Sequence, residues 1–271
     1  MSRIALTLSY DGANFAGWQT QPSGLTVQDK LEGAIQSIQG QPVATICAGR
    51  TDAGVHALAQ VVHFDAVVER PLTAWVRGVN AKLPSSIAVH SACVVDPGFN
   101  ARMSATARTY DYLIIESTIR QPLWEGRAGW TFRTLNAELM HQSAQSVLGT
   151  HDFTSLRSSQ CQAATPIRTI SECRVIRQGQ FILIRVKANA FLHHMVRNLV
   201  GCLVQIGQGK KPIAWMAEVI EQRNRKFAAP TFAPDGLYLT RVEYPSEYGL
   251  QAAVVINPIP ITFPVYFENT H

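Results

Sequence analysis

The chain has 271 residues, 46% hydrophobic and 16% charged, which is the composition of a folded globular protein and not of a disordered one. No run approaches the roughly 18 apolar residues of a membrane span, the start lacks a secretory signal pattern, and five cysteines without a Cys-x-x-Cys pair exclude a disulfide framework or zinc ribbon, so a cytoplasmic protein with no membrane partner is expected. The net charge of +5 is uneven: residues 1–105 are neutral, 106–226 carry +8 and 227–271 carry −3, a distribution that fits a polyanion across the middle section and, on charge alone, a solvated surface equally well.

Periodicity predicts a strand over Arg3–Tyr10, with Ile4, Leu6, Leu8 and Tyr10 on one face, and a turn at Asp11-Gly12. A helix follows, opened by Thr26 with Asp29 as a capping box, carrying the stripe Val27, Leu31, Ala34, Ile35 and Ile38, and ended by Gly40. Apolar runs at Val43–Ala48 and Ala59–Phe64 read as strands, Leu72–Lys82 as a helix and Ile87–Val95 as a strand.

The second half repeats the order: strand Thr109–Ile115, helix Asn136–Leu148, strands Thr169–Arg177 and Phe181–Ala188, helix Phe191–Ile206 and strand Leu237–Val242, with an extra helix at Ile213–Glu221. The fold class is therefore α+β, two ferredoxin-like βαββαβ halves forming a largely antiparallel mixed sheet with helices packed on it and a central cleft. The expected division is 1–105 for the first domain, 106–245 for a second that completes the cleft, and 246–271 for an irregular or separately docked tail of unassigned role. On strand Phe181–Ala188 one face changes from Phe181 and Leu183 to Arg185 and Lys187, so it either leads toward a phosphate-binding cleft or ends in solvent.

Asp52 lies in a short loop between predicted strands, among Gly49, Arg50, Thr51, Gly54 and His56. An Asx-turn would explain a lone loop aspartate, but this density of polar groups on a rigid support points to chemistry. A single carboxylate does not suit the usual two-carboxylate glycosidase or a multi-acid metal nuclease. Neither a Gly-x-x-x-x-Gly-Lys-Ser/Thr nor a Gly-x-Gly-x-x-Gly element is present. His193-His194 falls inside the predicted helix, where adjacent side chains point about 100° apart, so no metal is expected there.

The segments GRTDAGVHA (Gly49–Ala57), FNARMSATARTYDY (Phe99–Tyr112), HDFTSLR (His151–Arg157), KANAFLHHMVRN (Lys187–Asn198) and GLYL (Gly236–Leu239) resemble, in register from about Arg3 to Tyr244, the tRNA pseudouridine synthases of the A type. The resemblance implies the pseudouridine synthase fold, a homodimer, no cofactor, and isomerisation of uridine at nucleotides 38–40 of the tRNA anticodon arm. It also implies roles: Asp52 as nucleophile or sugar-proton base, Arg197 pairing with it and holding it ionised, Tyr110 against the target base, Arg50 displacing the base or contacting RNA, and Leu237 in the pocket wall.

It further implies tRNA contact by Phe99, Asn100, Ala101, Arg102 and Met103 and by Gln160, Cys161 and Gln162, both stretches reading as polar loops. Where the family carries basic residues beside the first tyrosine, this chain has Thr109 and Asp111, so the tyrosine role is expected but the resemblance does not extend to a phosphate contact at those positions. The competing readings are a pseudouridine synthase for another RNA and a non-catalytic tRNA-binding or folding protein.

Overall fold

The computed structural model describes residues 2–250 and 259–261. The first half contains β1 (Ser2–Tyr10), α1 (Val27–Gln39), β2 (Ile46–Cys47), β3 (His56–Ala66), α2 (Leu72–Asn80) and β4 (Ile87–Val95). The second contains β5 (Ala107–Glu116), β6 (Gly129–Thr131), α3 (Ala137–Ala144), β7 (Gly149–Asp152), β8 (Ile167–Gln178), β9 (Phe181–Ala188), α4 (Met195–Gly207), α5 (Trp215–Glu221) and β10 (Leu237–Glu243).

The strands form one mixed sheet in the order β4-β1-β3-β10-β5-β9-β8-β7, with β2 on β3 and β6 on β5. Within each half the order is last, first, third, second: β4-β1-β3-β2 and β10-β5-β9-β8. That is the ferredoxin-like βαββαβ arrangement twice. The edge of β3 is shared, since Ile46 and Cys47 pair antiparallel with His63 and Val62, while Tyr238 and Leu239 pair parallel with His56 and Ala57. The loop carrying Asp52 therefore leaves the sheet where the second half's last strand docks on the first half.

Side-chain alternation on β5 separates two layers. Tyr110, Tyr112 and Ile114 join the main core with the helix residues Leu31, Trp75, Met140 and Leu199. Leu113 and Ile115 face the other way and pack with Tyr238, Ile259 and Ile261, so the described part of the tail docks on the far face of the sheet. Coverage of both faces explains why β5 is buried throughout all but its last residue.

Local sequence accounts for the boundaries. Thr26 Oγ1 accepts from the Asp29 N–H at 3.2 Å, and Gly40 closes α1 in the left-handed region at φ 77°. The capping bond contributes about 1 kcal/mol. Three predicted spans change most: Val43–Ala48 shrinks to the two-residue β2, with the Ala48 N–H still donating to the Val61 carbonyl of β3, Asn136–Leu148 becomes α3 with a following 3-10 turn, and the helix predicted from Phe191 starts four residues later, at Met195.

Candidate active site

The Asp52 loop is fastened from three sides. Buried Gln60 donates from Nε2 to the Gly49 carbonyl at 2.6 Å and accepts the Gly49 N–H at 3.3 Å. The Thr51 hydroxyl meets the Tyr10 hydroxyl at 2.8 Å, and the Thr51 carbonyl accepts from the Trp18 N–H at 3.0 Å. Gly17, at φ 93°, lets this segment approach, because a Cβ there would lie 2.8 Å from the Thr51 carbonyl oxygen. His56 anchors the loop's far end: Nδ1 accepts the Gly12 N–H at 3.0 Å and Nε2 lies 2.8 Å from the Gly126 carbonyl. Burial lowers the His56 pKa below the ordinary histidine value.

On that support the Asp52 carboxylate, about one-quarter exposed, faces three nitrogen bases. Arg197, in the first turn of α4, donates from Nη1 to Oδ2 at 2.9 Å and from Nε to the Phe232 carbonyl at 2.9 Å. His193 Nε2 lies 3.2 Å from Oδ1 and His194 Nε2 lies 3.3 Å from Oδ2. The expectation that the two histidines diverge on a helix is corrected. They precede α4, His194 is its N-cap residue at φ 63°, and the two rings lie side by side, tilted by 38° at a centroid distance of 3.9 Å.

A left-handed non-glycine residue costs about 1–2 kcal/mol, and His194 recovers none of it by capping, since its side chain makes no cap hydrogen bond. The signal for this pair in the sequence was its position at a helix start, where side chains need not follow helical spacing. Burial lowers the His194 pKa, with Asp52 acting upward and His193, Arg197 and Arg225 acting downward.

Tyr110 is 8% exposed and meets Phe191 edge to face at 5.0 Å. Its hydroxyl borders the loop, lying 3.4 Å from where a Gly49 Cβ would stand. Burial raises the phenol pKa and the Asp52 charge adds to the rise, so Tyr110 stays protonated. Tyr110 pairs with Leu239 across β5 and β10, and buried Leu237 pairs with Tyr112 one step further along. Arg50 is exposed beside Asp52.

The two loops proposed for RNA contact divide. Phe99 and Ala101 are fully buried, Phe99 packing against His63, Tyr244 and Tyr248, so their side chains belong to the core and the polar-loop expectation is corrected for both. Asn100 caps the backbone of Arg102 and Met103, and those two side chains are exposed. Gln160 and Gln162 are exposed, whereas half-buried Cys161 accepts the His193 N–H on its sulfur at 3.4 Å. The strand end read as a route to phosphate is closed by ion pairs: fully buried Asp111 takes Arg185 with two contacts of 2.7 Å, and Lys187 meets Glu243 at 2.9 Å.

Two buried side chains escaped the sequence reading. Arg108 donates to the carbonyls of Ala48, Ala105, Asn189 and Arg102, joining the Asp52 loop to the Arg102 loop and to the end of β9. Asn198, fully buried, donates to the Leu156 carbonyl at 2.7 Å and accepts from Thr231 Oγ1 at 2.7 Å and Arg225 at 3.0 Å. As for metals, Asp52, His193 and His194 bring three ligand atoms within 4.8 Å of one another. A cation entering there would share Oδ2 with the Arg197 guanidinium and meet its repulsion.

A family model described as tRNA pseudouridine synthase matches residues 7–102 and 143–245. Curated relatives named tRNA pseudouridine synthase A include a protein of Bordetella petrii, 56% identical over 252 residues, 92% of this chain and 94% of the relative. One of Bordetella parapertussis is 54% identical over 92% of this chain and 93% of its own. One of Herminiimonas arsenicoxydans is 52% identical over 94% of each.

Proposed function

The chain belongs to the tRNA pseudouridine synthase family, an isomerase family acting on tRNA uridine, and from that premise we propose that its targets are uridines 38–40 of the anticodon arm and that Asp52 is the group acting on the sugar. The observation that carries the reading is the Asp52 carboxylate held at 2.9 Å by Arg197, in a loop bordered by the Tyr110 hydroxyl, at the junction of the two halves.

The reaction breaks the bond from nitrogen 1 to the ribose, turns the base, joins carbon 5 to the same sugar carbon, and moves a proton from carbon 5 to nitrogen 1. Product and substrate have the same atoms, so no oxidant, reductant or group donor is consumed. A paired uridine must first leave its stack, at a cost of a few kcal/mol. Exposed Arg50 is placed beside Asp52 to occupy the vacated space, and Tyr110 offers the base an aromatic contact, a type worth about 1–3 kcal/mol. Arg197 pairs with the Asp52 carboxylate that acts on the ribose, and Leu237 closes the apolar side of the pocket. Asn100, Arg102, Met103, Gln160 and Gln162 are the remaining tRNA contacts of this reading.

The same reading takes the chain as cytoplasmic, as its composition suggests, and as a homodimer, supported by its motif resemblance; light scattering of the purified protein checks the dimer. The substrate is tested by mapping pseudouridine in total tRNA from cells with and without the gene. Loss confined to the anticodon arm is expected, and an unchanged anticodon arm rejects the substrate.

A further inference from the structure

The residues just before α4 do something a helix start does not need. An N-cap favours Ser, Thr, Asn or Asp in extended backbone, with the side chain turned onto the first N–H groups. Here the position holds His194 in the left-handed region, with no cap bond from its side chain. The twist points its ring at Asp52, and the preceding residue, His193, delivers a second ring to the same carboxylate from the other oxygen. Strain retained without local return marks a position kept for a task.

The placement is specific. An ionised carboxylate has about four lone-pair sites. Arg197 donates to Oδ2, while the His194 and His193 rings approach Oδ2 and Oδ1 as close contacts without hydrogen-bond geometry, so Oδ1 accepts no hydrogen bond from the described residues. Donors on one oxygen alone would leave the carboxylate plane free to rotate, while contacts on both fix it. The His distances of 3.2 and 3.3 Å are longer than the roughly 2.7–2.9 Å of a charge-assisted hydrogen bond. Catalytic contacts often rest at such lengths and tighten when the substrate enters.

We propose that His193 and His194 are positioning residues that clamp the Asp52 carboxylate from both oxygens and leave Oδ1, which accepts no hydrogen bond from the described residues, to act on the ribose of the flipped uridine. Cys161 sets the pair in turn, because its sulfur accepts the His193 N–H, and it lies between Gln160 and Gln162 of the RNA-contacting loop. Seating tRNA on that loop thereby bears on the clamp through one residue. This inference rests on the assignment of Asp52 as the group acting on the sugar.

The test measures single-turnover tritium release from tRNA labelled at uridine carbon 5, together with tRNA affinity and melting temperature, on the full chain. His193→Ala and His194→Ala are each expected to slow release about 10- to 100-fold, the range for losing a hydrogen bond to a charged group, with affinity within about 3-fold. His193→Gln, whose amide nitrogen stands near the lost Nε2, should recover most of the His193→Ala loss.

His194→Gly separates clamp from scaffold. Glycine relieves the left-handed backbone, so this variant is expected to melt at or above the wild-type temperature and still turn over slowly. A merely structural histidine would give the reverse, a wild-type rate. Wild-type rates in the alanine variants, a His193→Gln as slow as His193→Ala, or a fast His194→Gly each overturn the clamp. Asp52→Asn run in parallel distinguishes the failures: if it is inactive while the histidine variants are normal, only the clamp falls, and if it is active, the assignment of Asp52 falls.

Discussion

Arg197 holds Asp52 from across the junction of the two halves, with Nη1 on Oδ2 at 2.9 Å and Nε fixed on the Phe232 carbonyl. The guanidinium fork makes both contacts at once, and a lysine, as a point charge, cannot. Arg197→Lys is therefore expected to keep tRNA affinity within about 3-fold and to lose roughly 10- to 100-fold in single-turnover rate, the range for one charged hydrogen bond. A wild-type rate for Arg197→Lys would show that the second contact, to Phe232, has no part in aiming the first.

Asn198 is a fully buried scaffold residue that joins three separate segments. Asn198→Ala strands the buried Leu156 carbonyl and removes the acceptor shared by the Thr231 hydroxyl and Arg225, which keep their contact with each other. With the stranded buried carbonyl costing about 1–3 kcal/mol, denaturant unfolding should show a loss of at least about 1 kcal/mol. A loss below about 0.5 kcal/mol would mean that water replaces these bonds freely.

His56 makes stability depend on pH. Its folded pKa is lowered, by burial first, while the unfolded chain titrates near the ordinary histidine value of about 6.5. Between the two values the unfolded chain binds more protons, so stability rises with pH across that window. The contribution is complete above about pH 6.5 and is lost as pH falls toward the folded value. His63, also lowered by burial, adds to the same trend. Urea midpoints measured from pH 7.5 down to 5.5 should fall for the wild type and fall less steeply for His56→Gln; equal slopes would remove His56 from the account.

Arg102 is exposed on a backbone pinned by Asn100 and by Arg108, which donates to its carbonyl at 2.5 Å. As a phosphate contact, its loss in Arg102→Ala should weaken binding to all tRNAs alike and reduce the slope of log affinity against log salt by about one. An unchanged slope would place Arg102 off the RNA path.

Much of this was legible in the sequence because it is written in local patterns. Alternating faces in β9 and the apolar run of β4 placed both strands at their observed bounds, and Thr26 with Gly40 bounded α1. What failed depended on distant partners. Phe99 and Ala101 sit in a polar stretch, but His63, Tyr244 and Tyr248 bury Phe99 from strands and turns far along the chain. Asp111 and Arg185 are 74 residues apart, and only the pairing of β5 with β9 makes them neighbours. The same holds for Asp52 with His193 and His194: helical spacing separates the histidines, and a helix that starts at Met195 instead brings both to one carboxylate.

The central claim is that Asp52 acts on the sugar of the target uridine. Tritium release from carbon-5-labelled tRNA, compared between wild type and Asp52→Asn at saturating enzyme, tests it most directly. Release is expected from the wild type and is expected to be abolished in Asp52→Asn, with tRNA affinity within about 3-fold, since the substitution keeps the shape and removes the charge that the reaction uses. Release from Asp52→Asn near the wild-type rate would contradict the account.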